Sequence, residues 1–366
     1  MKNNIKVLHV IASLGNGGAE RQLVELLKHN RNHGVVLFTD ADVYKDSLNS
    51  MGIKYWEFNV KGKLLVFNKI FLFKRILQEF KPDIIQAWMY NACLFSAVCK
   101  FCNIYKLPLI WCIRCSDMIT KYYSTSLKFV ILSCRILSKT ADKIIYNSIA
   151  GMSYHKKIGF IGDQQEVIFN GVDSSKFKFD NYYRKKLRNY FSFKSTDIVL
   201  LCVARIDPMK NHINFLKAYK DFQSKNKNKI KLLLIGKDTD NLSLPPNCYA
   251  LGMTNNIEQY YSLADIIILP SSFGEGFSNV LVEGMLSNLL PVATDVGDAK
   301  KIICNTGYLI EEESSLGIGS KLEEIACLKM QLIKSYGLKA RKRAETMFSI
   351  RKMVRSYNGI YKKVLN

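Results

Sequence analysis

The chain has 366 residues, of which 53 are Lys or Arg and 31 are Asp or Glu, so its formal net charge is +22. At roughly 100–200 residues per domain this length favours two domains, and a hydrophobic content of 48% excludes intrinsic disorder and a small disulfide-stapled scaffold. The excess of positive charge favours an anionic partner, which is nucleic acid, a phosphorylated small molecule or an anionic membrane face.

The ten cysteines do not indicate secretion. The first apolar stretch, residues 5–14, contains His9 and runs directly into a glycine turn, so it lacks the charged segment, apolar core and cleavage site of a signal peptide. No apolar run approaches the ~20 residues that span a bilayer. We therefore expect a cytoplasmic protein with reduced cysteines.

The first predicted elements are a strand over residues 5–12, a glycine turn at Gly15–Gly18 and a helix whose leucines recur at helical spacing. Further strand-like runs follow, mostly separated by segments of helix length, at 35–38, 84–87, 109–113 and 143–147. Such alternation of strands and helices predicts a parallel, doubly wound sheet.

The same alternation restarts after a turn-rich stretch at 170–173 and a polar, basic region that extends to residue 195. A helix is predicted at 213–223, and strands are predicted at 198–204, 230–236, 265–270 and 290–294. The sequence therefore predicts an α/β protein with two Rossmann-like doubly wound domains, 1–175 and 176–349, facing a central cleft. Such a cleft is the default ligand site.

The glycine turn after the first strand has two interpretations. A G-x-G-x-x-G turn would bring backbone N–H groups to a dinucleotide diphosphate, and Asp40 ends a second strand at a suitable distance. Glu20, however, takes the place of the third glycine. An NAD(P)-dependent oxidoreductase that uses this loop therefore stays an alternative, beside a tight turn that serves packing alone.

The strongest constellation lies in the second predicted domain, where Glu275 and Glu283 flank seven residues at a strand-to-helix transition. If a helix begins near Ser278, its free N–H groups can hold a phosphate, while the two carboxylates accept hydrogen bonds from sugar hydroxyls. Arg205 and Lys210 follow the first strand of that domain and suit a diphosphate, the former by bidentate contact and the latter as a point charge. The alternative is that these charged residues only form solvated ion pairs.

The positive charge is concentrated in particular regions. Residues 61–157 carry 16 basic and 4 acidic side chains, whereas residues 232–320 carry 3 and 11. Within the basic region, 61–81 and 121–135 combine Lys and Arg with large apolar residues, as interfacial helices do. Each stretch either packs on its sheet alone or also presents a basic rim to an anionic membrane. A non-catalytic basic binding protein is a further alternative, but no groove-reading or stacking motif for nucleic acid is apparent.

Five segments, taken in chain order, carry a family resemblance. They are Gly17-Gly-Ala-Glu20, Asn170-Gly-Val-Asp173 with Phe177, Ala204-Arg205 with Lys210-Asn211, Glu275 with Glu283, and Pro291-Val-Ala-Thr-Asp-Val-Gly297. Together they resemble the retaining GT-B glycosyltransferases of family 4, many of which build bacterial cell-surface glycans. The resemblance covers almost the whole chain, and the Glu-x7-Glu block with its upstream Arg and Lys is its most specific part.

The resemblance implies a transferase of the GT-B class. A hexosyl or N-acetylhexosaminyl group would pass from a UDP- or GDP-linked sugar on the C-terminal domain to a glycan acceptor on the N-terminal domain, with retention at the anomeric carbon and without a metal or other cofactor. The acceptor would be a lipid-linked intermediate of a surface polysaccharide such as lipopolysaccharide or capsule, met at the inner face of the cytoplasmic membrane. The last helix, 350–366, would return to the N-terminal domain.

The resemblance also assigns roles to residues of this chain. Arg205 and Lys210 would neutralise the donor diphosphate and stabilise the departing nucleotide. Glu275 would bind the hydroxyls of the donor sugar, and Glu283 would bind those of the ribose. The remaining donor contacts would come from the first glycine loop and from the residues that follow Glu275, namely Gly17, Gly18, Gly276, Phe277, Ser278, Asn279 and Val280.

One departure from the family pattern concerns a histidine. Similar sequences often read Trp-Met-Tyr-His after the strand at 84–87 and place that histidine in the active site, whereas this chain has Asn91 there. An amide can orient a donor sugar, but it does not titrate near neutrality. We expect orientation, because in retaining transferases of this type the leaving phosphate is thought to take the acceptor's proton. Asn91 therefore joins Arg205, Lys210 and Glu275 as an expected catalytic residue.

Other polar residues receive structural interpretations. The Cys99–Cys102 and Cys112–Cys115 pairs have the spacing of zinc knuckles, but Pro108 and a strand lie between them, so no metal site is expected. His155 lies in a helix-like stretch and is interpreted as a structural polar residue. Ser148 is interpreted as a helix cap as readily as a cleft residue.

Overall fold

The computed structural model describes residues 4–15, 17–60, 65–116, 125–162, 164–225 and 230–366. The chain divides into two compact units. Unit 1 comprises Met1–Gly171 with Ile350–Asn366, and unit 2 comprises Val172–Ser349. Within the described ranges, every helix is too short or too polar to cross a bilayer.

The strands are listed in chain order as β1 (Val7–Ile11), β2 (Gly34–Leu37), β3 (Lys54–Glu57), β4 (Ile84–Trp88), β5 (Leu109–Ile113), β6 (Lys143–Tyr146), β7 (Gln165–Val167), β8 (Ile198–Val203), β9 (Ile230–Ile235), β10 (Cys248–Leu251), β11 (Ile266–Leu269), β12 (Leu290–Thr294) and β13 (Tyr308–Ile310). The helices are listed likewise as α1 (Gly18–Lys28), α2 (Lys45–Ser50), α3 (Ile70–Phe80), α4 (Met89–Phe101), α5 (Thr125–Leu137), α6 (Ile149–Lys157), α7 (Asn181–Tyr190), α8 (His212–Lys225), α9 (Ile257–Leu263), α10 (Asn279–Leu286), α11 (Ala299–Ile303), α12 (Ser315–Ala326), α13 (Met330–Met347) and α14 (Ile350–Leu365).

Each unit contains one sheet in which neighbouring strands are parallel. Unit 1 has the order β3-β2-β1-β4-β5-β6-β7, and unit 2 has the order β10-β9-β8-β11-β12-β13. The strand order reverses between β1 and β4 in unit 1 and between β8 and β11 in unit 2. Open parallel sheets bind ligands beyond the carboxyl ends of the strands at such a switch point. The topology therefore marks one candidate edge in each unit.

The core of unit 1 includes the last helix of the chain. The central strands β1, β4 and β5 are buried along their whole length, as expected for a parallel sheet covered on both faces. Tyr357 and Tyr361 of α14 are almost fully buried against one face, and the Tyr361 hydroxyl donates a 2.6 Å hydrogen bond to Oε1 of Gln86 in β4. Burial of a large apolar side chain stabilises a fold by about 1.5–3 kcal/mol, so unit 1 depends on residues from the far end of the chain.

Unit 2 contains a buried charge cluster at the amino end of its sheet. Asp265 accepts hydrogen bonds from Arg184 at 2.6 Å, from Arg188 at 2.9 Å and from the Val199 N–H at 2.9 Å. Both guanidinium groups also donate to backbone carbonyls at the end of α9. Each buried charge in the cluster has an oppositely charged partner and further hydrogen bonds. The two arginines of α7 therefore attach this helix to the sheet without leaving a buried charge unpaired.

The prediction of two doubly wound α/β domains is confirmed, but nine of the strands were predicted and four were missed. The missed strands β3, β7, β10 and β13 are the edge strands of the two sheets. Edge strands are short and half exposed, so they lack the buried apolar run on which the prediction relied. The predicted domain boundary at residue 175 lies beyond the observed division at Gly171.

Candidate active site

The switch point of unit 2 carries charged residues after both of its strands. A single 3₁₀ turn, Pro208–Lys210, follows β8, and Asp207 caps it by accepting a 3.0 Å hydrogen bond from the Met209 N–H. Asn211 then adopts a left-handed conformation with φ 58°, and α8 begins after it. This short capped turn holds Lys210 at the carboxyl end of the sheet.

Lys210 forms a salt bridge with Oε1 of Glu275, in the loop after β11. The two side chains are only 15% and 9% exposed, and the Ser271 hydroxyl donates a 2.7 Å hydrogen bond to the same carboxylate oxygen. The alternative of solvated ion pairs is therefore wrong for these two residues. Loss of either side chain would leave the other charge shielded and uncompensated. The cation and the carboxylate are therefore held together at the carboxyl end of the sheet.

Arg205 contrasts with Lys210 because its side chain is 59% exposed. Its Nε and Nη2 atoms donate to Oδ2 of Asp207 at 3.1 and 2.8 Å, while Oδ1 of Asp207 caps the turn that carries Lys210. The two basic residues therefore share one short segment. An exposed ion pair contributes little to stability, so the guanidinium can exchange Asp207 for a stronger anion at low cost.

The loop after β11 approaches the backbone of the loop after β12. Gly297 has φ 64°, and a Cβ atom there would lie 2.1 Å from the Glu275 carbonyl oxygen. The Asp298 N–H donates a 3.2 Å hydrogen bond to the Gly276 carbonyl. Only a glycine fits between these segments, and this close approach fixes the backbone that carries Glu275.

The residues between the two glutamates differ in their surroundings. Phe277 is buried against Phe348, with ring centroids 5.2 Å apart, so its side chain packs in the core rather than toward a ligand. The Ser278 hydroxyl accepts from the Leu281 N–H and caps α10, which begins at Asn279. The expected helix start near Ser278 is thus observed. Gly276, Asn279 and Val280 are half-buried at this end of the helix.

Glu283 lies one turn further into α10 and is 4% exposed. Its Oε2 atom accepts a 2.7 Å hydrogen bond from the hydroxyl of Tyr261 in α9. A buried carboxylate needs such donors, because an ionised group without partners is costly in a low-dielectric interior. Tyr261 therefore holds the carboxylate in one orientation on the core-facing helix.

At the switch point of unit 1, Gly17 is the N-cap residue of α1. A Cβ atom on Gly17 would lie 2.1 Å from Oε2 of Glu20, because the Glu20 carboxylate folds back over the helix start. Burial raises the pKa of Glu20, and the N–H groups of Glu20 and Ala19 and the charge of Arg114 oppose that rise. Gly18 is the first residue of the helix.

Next to the glycine loop, three buried aromatic side chains form a hydrogen-bonded chain. The Trp88 indole N–H donates to Nδ1 of His9 at 3.1 Å, and Nε2 of His9 lies 3.0 Å from Nδ1 of His33. Because Trp88 can only donate, His9 carries its proton on Nε2 and donates it to His33. Burial lowers the pKa of both histidines, to about 4 for His33. The chain is therefore neutral at physiological pH.

Asn91 lies three residues after Trp88, in the first turn of α4. α4 begins at Met89, which has φ 64°, a conformation that costs a non-glycine residue on the order of 1–3 kcal/mol. The Met89 sulfur accepts from the Arg114 N–H at 3.4 Å. Asn91 is half-buried in the first turn of α4, so its amide is held at the carboxyl end of β4 by a strained, well-packed turn.

His155 and Ser148 have structural roles. Nδ1 of His155 lies 2.6 Å from the Gly151 carbonyl, and its Nε2 lies 2.7 Å from the Tyr90 hydroxyl. Burial lowers the pKa of His155 to about 4. Ser148 caps α6 by accepting from the Gly151 N–H at 3.0 Å. The interpretations of His155 as a structural residue and of Ser148 as a cap therefore agree with the contacts.

The predicted site residues fall into two groups. Unit 2 brings together Arg205, Lys210 and Glu275 on adjacent loops, and Glu283 lies on the helix that follows. Unit 1 places Gly17, Gly18 and Asn91 at the ends of its adjacent strands β1 and β4. Three supporting residues were not predicted, because their partners are distant in sequence or because no motif marks them: Asp207, Tyr261 and Ser271.

The cysteines form no disulfide bonds within the described ranges. All ten are free, and Cys102, Cys304 and Cys327 are exposed. In the part of the chain that the structure describes, no group of three or more His, Cys, Asp or Glu residues has the arrangement of a metal site. The basic stretch 61–81 includes residues 61–64, and the stretch 121–135 includes residues 121–124; both segments lie outside the described ranges.

Two family models match the chain, one in each half. The model described as "Glycosyltransferase Family 4" matches residues 16–176, and that described as "Glycosyl transferases group 1" matches residues 184–343. The first match covers the glycine loop and Asn91, and the second covers the four charged residues of unit 2.

Curated relatives and solved structures agree with these matches. The chain is 26% identical, over 93% of its length and 95% of the relative's, to the N-acetylgalactosamine-N,N'-diacetylbacillosaminyl-diphospho-undecaprenol 4-alpha-N-acetylgalactosaminyltransferase of Campylobacter jejuni. It is 25% identical over 41% of its length, and 44% of the relative's, to the lipopolysaccharide 1,2-N-acetylglucosaminetransferase of Salmonella typhimurium. The crystal structure of Anabaena HepE in complex with UDP and glucose matches 98% of this chain and 100% of that one, with a TM-score of 0.80 and 22% identity.

Proposed function

The chain belongs to the GT-B glycosyltransferases of family 4, and from this premise we propose that it is a retaining, metal-independent hexosyl- or N-acetylhexosaminyltransferase. The donor is a UDP- or GDP-linked sugar held by unit 2. The observation that carries the proposal is the shielded pair of Lys210 and Glu275 at the switch point of unit 2. It offers a cation for a diphosphate and a carboxylate for sugar hydroxyls within one hydrogen-bonded group.

The proposed reaction breaks the bond between the anomeric carbon and the donor diphosphate. Negative charge develops on the leaving phosphate, and Lys210 and Arg205 stabilise it there. Glu275 accepts hydrogen bonds from the sugar and Glu283 accepts them from the ribose. The leaving phosphate takes the proton of the acceptor hydroxyl as the new bond forms on the same face, which gives retention. Asn91 orients the sugar and transfers no proton, since an amide does not titrate near neutrality.

The proposed acceptor is a lipid-linked glycan of a surface polysaccharide. The name of the Campylobacter relative includes a diphospho-undecaprenol-linked glycan. Because the two chains are similar over almost their whole length, this supports a lipid-linked acceptor for the present chain. A protein that uses such an acceptor works at a membrane, so we place this chain peripherally at the inner face of the cytoplasmic membrane.

Helix α5 supports a membrane-facing surface on unit 1. Phe129, Leu132 and Ile136 are 62%, 50% and 63% exposed along one side of it, and Lys128 and Arg135 are exposed beside them. Exposed apolar residues flanked by cations are typical of helices that lie on anionic lipid. We call these five residues the α5 surface.

Vesicle flotation tests the α5 surface. Wild-type protein should float with vesicles that contain anionic lipid and should be released by salt, whereas a variant with Phe129, Leu132 and Ile136 all changed to Glu should stay at the bottom. Ile213→Glu is the matched control, because Ile213 is 86% exposed in unit 2. Equal flotation of all three proteins would remove the α5 surface from the proposal.

A panel of UDP- and GDP-sugars tests the enzymatic proposal. We expect one nucleotide class to raise the melting temperature and one of its sugars to be slowly hydrolysed, in the presence of EDTA as in its absence. The anomeric configuration of the sugar product, measured by NMR at early times, should match that of the donor. Inversion, or a strict requirement for a divalent ion, would contradict the mechanism.

The two other functions considered at the outset are not supported. The glycine loop begins α1 with the Glu20 carboxylate folded over Gly17, where a dinucleotide fingerprint needs open backbone N–H groups. The family models match the chain to glycosyltransferases over both halves. An oxidoreductase and a non-catalytic basic binding protein are therefore set aside.

A further inference from the structure

Arg114 is a half-buried residue of unit 1 for which the proposed mechanism has no role. It follows β5 directly, and β5 pairs with β4 as β4 pairs with β1. Arg114 therefore lies at the same sheet edge as Gly17 and Asn91, which come after β1 and β4.

All described partners of the Arg114 guanidinium are uncharged. Nη1 donates to the Tyr357 hydroxyl at 2.9 Å and to Sγ of Cys112 at 3.6 Å, and Nη2 donates to Oδ1 of Asn170. The guanidinium carbon lies 5.3 Å from the centre of the Trp88 ring. Among the described residues, no carboxylate forms an ion pair with Arg114, and its buried Nε–H has no hydrogen-bond acceptor.

The buried arginines of unit 2 show what a structural arginine looks like in this protein. Arg184 and Arg188 share the carboxylate of Asp265 and donate their other N–H groups to backbone carbonyls. Their charge is neutralised inside the fold. The Arg114 guanidinium is likewise held by hydrogen bonds, but among the described residues no carboxylate neutralises its charge.

An arginine cannot relieve this situation by losing its proton. A shielded cation with only neutral partners is unfavourable unless another group completes it. The unpaired Nε–H and the positive charge are both suited to an anionic oxygen. Glu20 is an acid whose pKa reflects the charge of Arg114, but its carboxylate is folded over Gly17 at the start of α1.

We propose that Arg114 is an anion-binding residue that holds a phosphate group of a substrate at the switch point of unit 1. Tyr357 and Asn170 orient its guanidinium, and the Trp88 ring supports one face of it. The choice of phosphate rests on the proposed function, because a nucleotide-sugar donor and a lipid-linked acceptor both present a diphosphate.

Sodium diphosphate is the first probe, and tryptophan fluorescence is the readout. The three tryptophans of the chain, Trp56, Trp88 and Trp111, all belong to unit 1, so the signal reports this unit. Wild-type protein should show a saturable change, and Arg114→Gln should weaken the binding on the order of 10- to 100-fold, as expected for loss of a charge-assisted hydrogen bond. Arg114→Lys should retain part of the affinity, because the charge remains but the planar geometry is lost.

Two further variants separate binding from a structural role. Lys225→Gln removes an exposed cation of unit 2 that has no proposed role in binding, and it should leave this titration unchanged. Tyr357→Phe removes a neutral contact of Arg114 but keeps the charge, so it should weaken diphosphate binding less than Arg114→Gln does. If Arg114→Gln and Tyr357→Phe lower the melting temperature alike while diphosphate binds both as it binds the wild type, Arg114 is a structural residue and the proposal is overturned.

UDP and farnesyl diphosphate then distinguish the two sources of the phosphate. A selective loss of UDP affinity in Arg114→Gln assigns the site to the donor, and a selective loss of farnesyl diphosphate affinity assigns it to the acceptor; either result supports an anion site. The titrations need no turnover. Diphosphate binding that depends on Arg114 would therefore support this inference even if no nucleotide sugar were bound or hydrolysed. Conversely, transferase activity together with diphosphate binding that Arg114→Gln does not weaken would refute this inference and leave the proposed function intact.

Discussion

The switch points of the two units present different chemistry on the same topology. In unit 2 the residues that follow β8 and β11 are charged and satisfied by one another, as in the pairs of Lys210 with Glu275 and of Arg205 with Asp207. In unit 1 the predicted site residues that follow β1 and β4, namely Gly17, Gly18 and Asn91, are uncharged, and Trp88 forms a neutral hydrogen-bonded chain with His9 and His33. Two charged residues of unit 1 depart from this pattern: Glu20 in the first turn of α1, and Arg114, a cation whose hydrogen-bond partners are neutral.

This difference indicates how the work is divided between the units. Negative charge that develops during a reaction is best stabilised by cations that are already held in place. Unit 2 holds such cations. At the edge of unit 1, amide and backbone groups suit a ligand bound through hydroxyls, with Arg114 as the one proposed contact to a phosphate. The four predictions below test this division. Three concern kinetics, from the largest expected effect to the smallest, and the fourth concerns stability.

Lys210→Ala should have the largest effect. It removes the cation proposed to meet the leaving phosphate and leaves Glu275 without its ion-pair partner. Loss of one preorganised electrostatic contact to a developing charge typically lowers turnover by about 10²- to 10³-fold, so we expect a loss of that order in kcat/KM for the donor. Lys225→Ala is the matched control, because Lys225 forms an exposed pair with Glu323 in the same unit. A decrease of less than threefold would remove Lys210 from the mechanism.

Glu283→Gln should act on binding rather than on chemistry. The amide keeps an acceptor for the Tyr261 hydroxyl but loses the charge, so the donor KM should rise on the order of tenfold with a smaller change in kcat. Tyr261→Phe should show the same pattern more weakly. Glu323→Gln, at an exposed position, should leave both constants unchanged. If the donor KM of Glu283→Gln equals that of the wild type, Glu283 has no part in donor binding.

Asn91 tests the neutral character of unit 1. Asn91→Ala should lower kcat by roughly 2- to 12-fold, the range that corresponds to loss of one neutral hydrogen bond. Asn91→His should retain most of the activity if the side chain orients the sugar. Steady-state kinetics of both variants decide the question, since full activity of Asn91→Ala would exclude an active role for this amide.

The last prediction concerns the buried histidines and acid stability, and not turnover. Burial lowers the pKa of His33 and His155 to about 4, whereas an exposed histidine titrates near 6.5. The neutral state therefore stabilises the fold above pH 6.5, and this contribution is lost as the pH falls from about 6.5 to about 4. Urea unfolding followed by tryptophan fluorescence should show a midpoint for unit 1 that decreases over this range.

Two histidine variants provide the control for this pH dependence. His33→Gln should flatten the decrease, because the residue that must be protonated on unfolding is gone. His29→Gln, at an exposed position, should leave the slope as in the wild type. A midpoint that stays constant between pH 6.5 and pH 4.5 in the wild type would show that the buried histidines do not govern the acid stability of unit 1.

Much of the architecture could be read from the sequence, because buried parallel strands are continuous apolar runs. β1, β4, β5, β8 and β11 all gave that signal. The edge strands did not, since β3 reads Lys-Tyr-Trp-Glu and β7 reads Gln-Glu-Val. Their strand state depends on pairing with a neighbour, which is a tertiary effect that no local pattern records.

The candidate site was predictable to a similar degree. The four charged residues of unit 2 lie in the segments that follow predicted strands, and their charge alone marks them as candidates: Arg205, Lys210, Glu275 and Glu283. The partners that hold them were not predictable. Tyr261 meets Glu283 across 22 positions and Arg114 meets Tyr357 across 243, so only the packed fold brings them together.

The position of α14 in unit 1 has a consequence for synthesis of the chain. Unit 2 is one continuous segment, whereas the core of unit 1 lacks Tyr357 and Tyr361 until the ribosome has added the last helix. The segment translated first is therefore completed last, and until then one face of its sheet lacks one of the helices that cover it. Nascent unit 1 should be the part of the chain that engages chaperones for longest, and a truncation before residue 350 should damage the N-terminal half rather than the segment next to the cut.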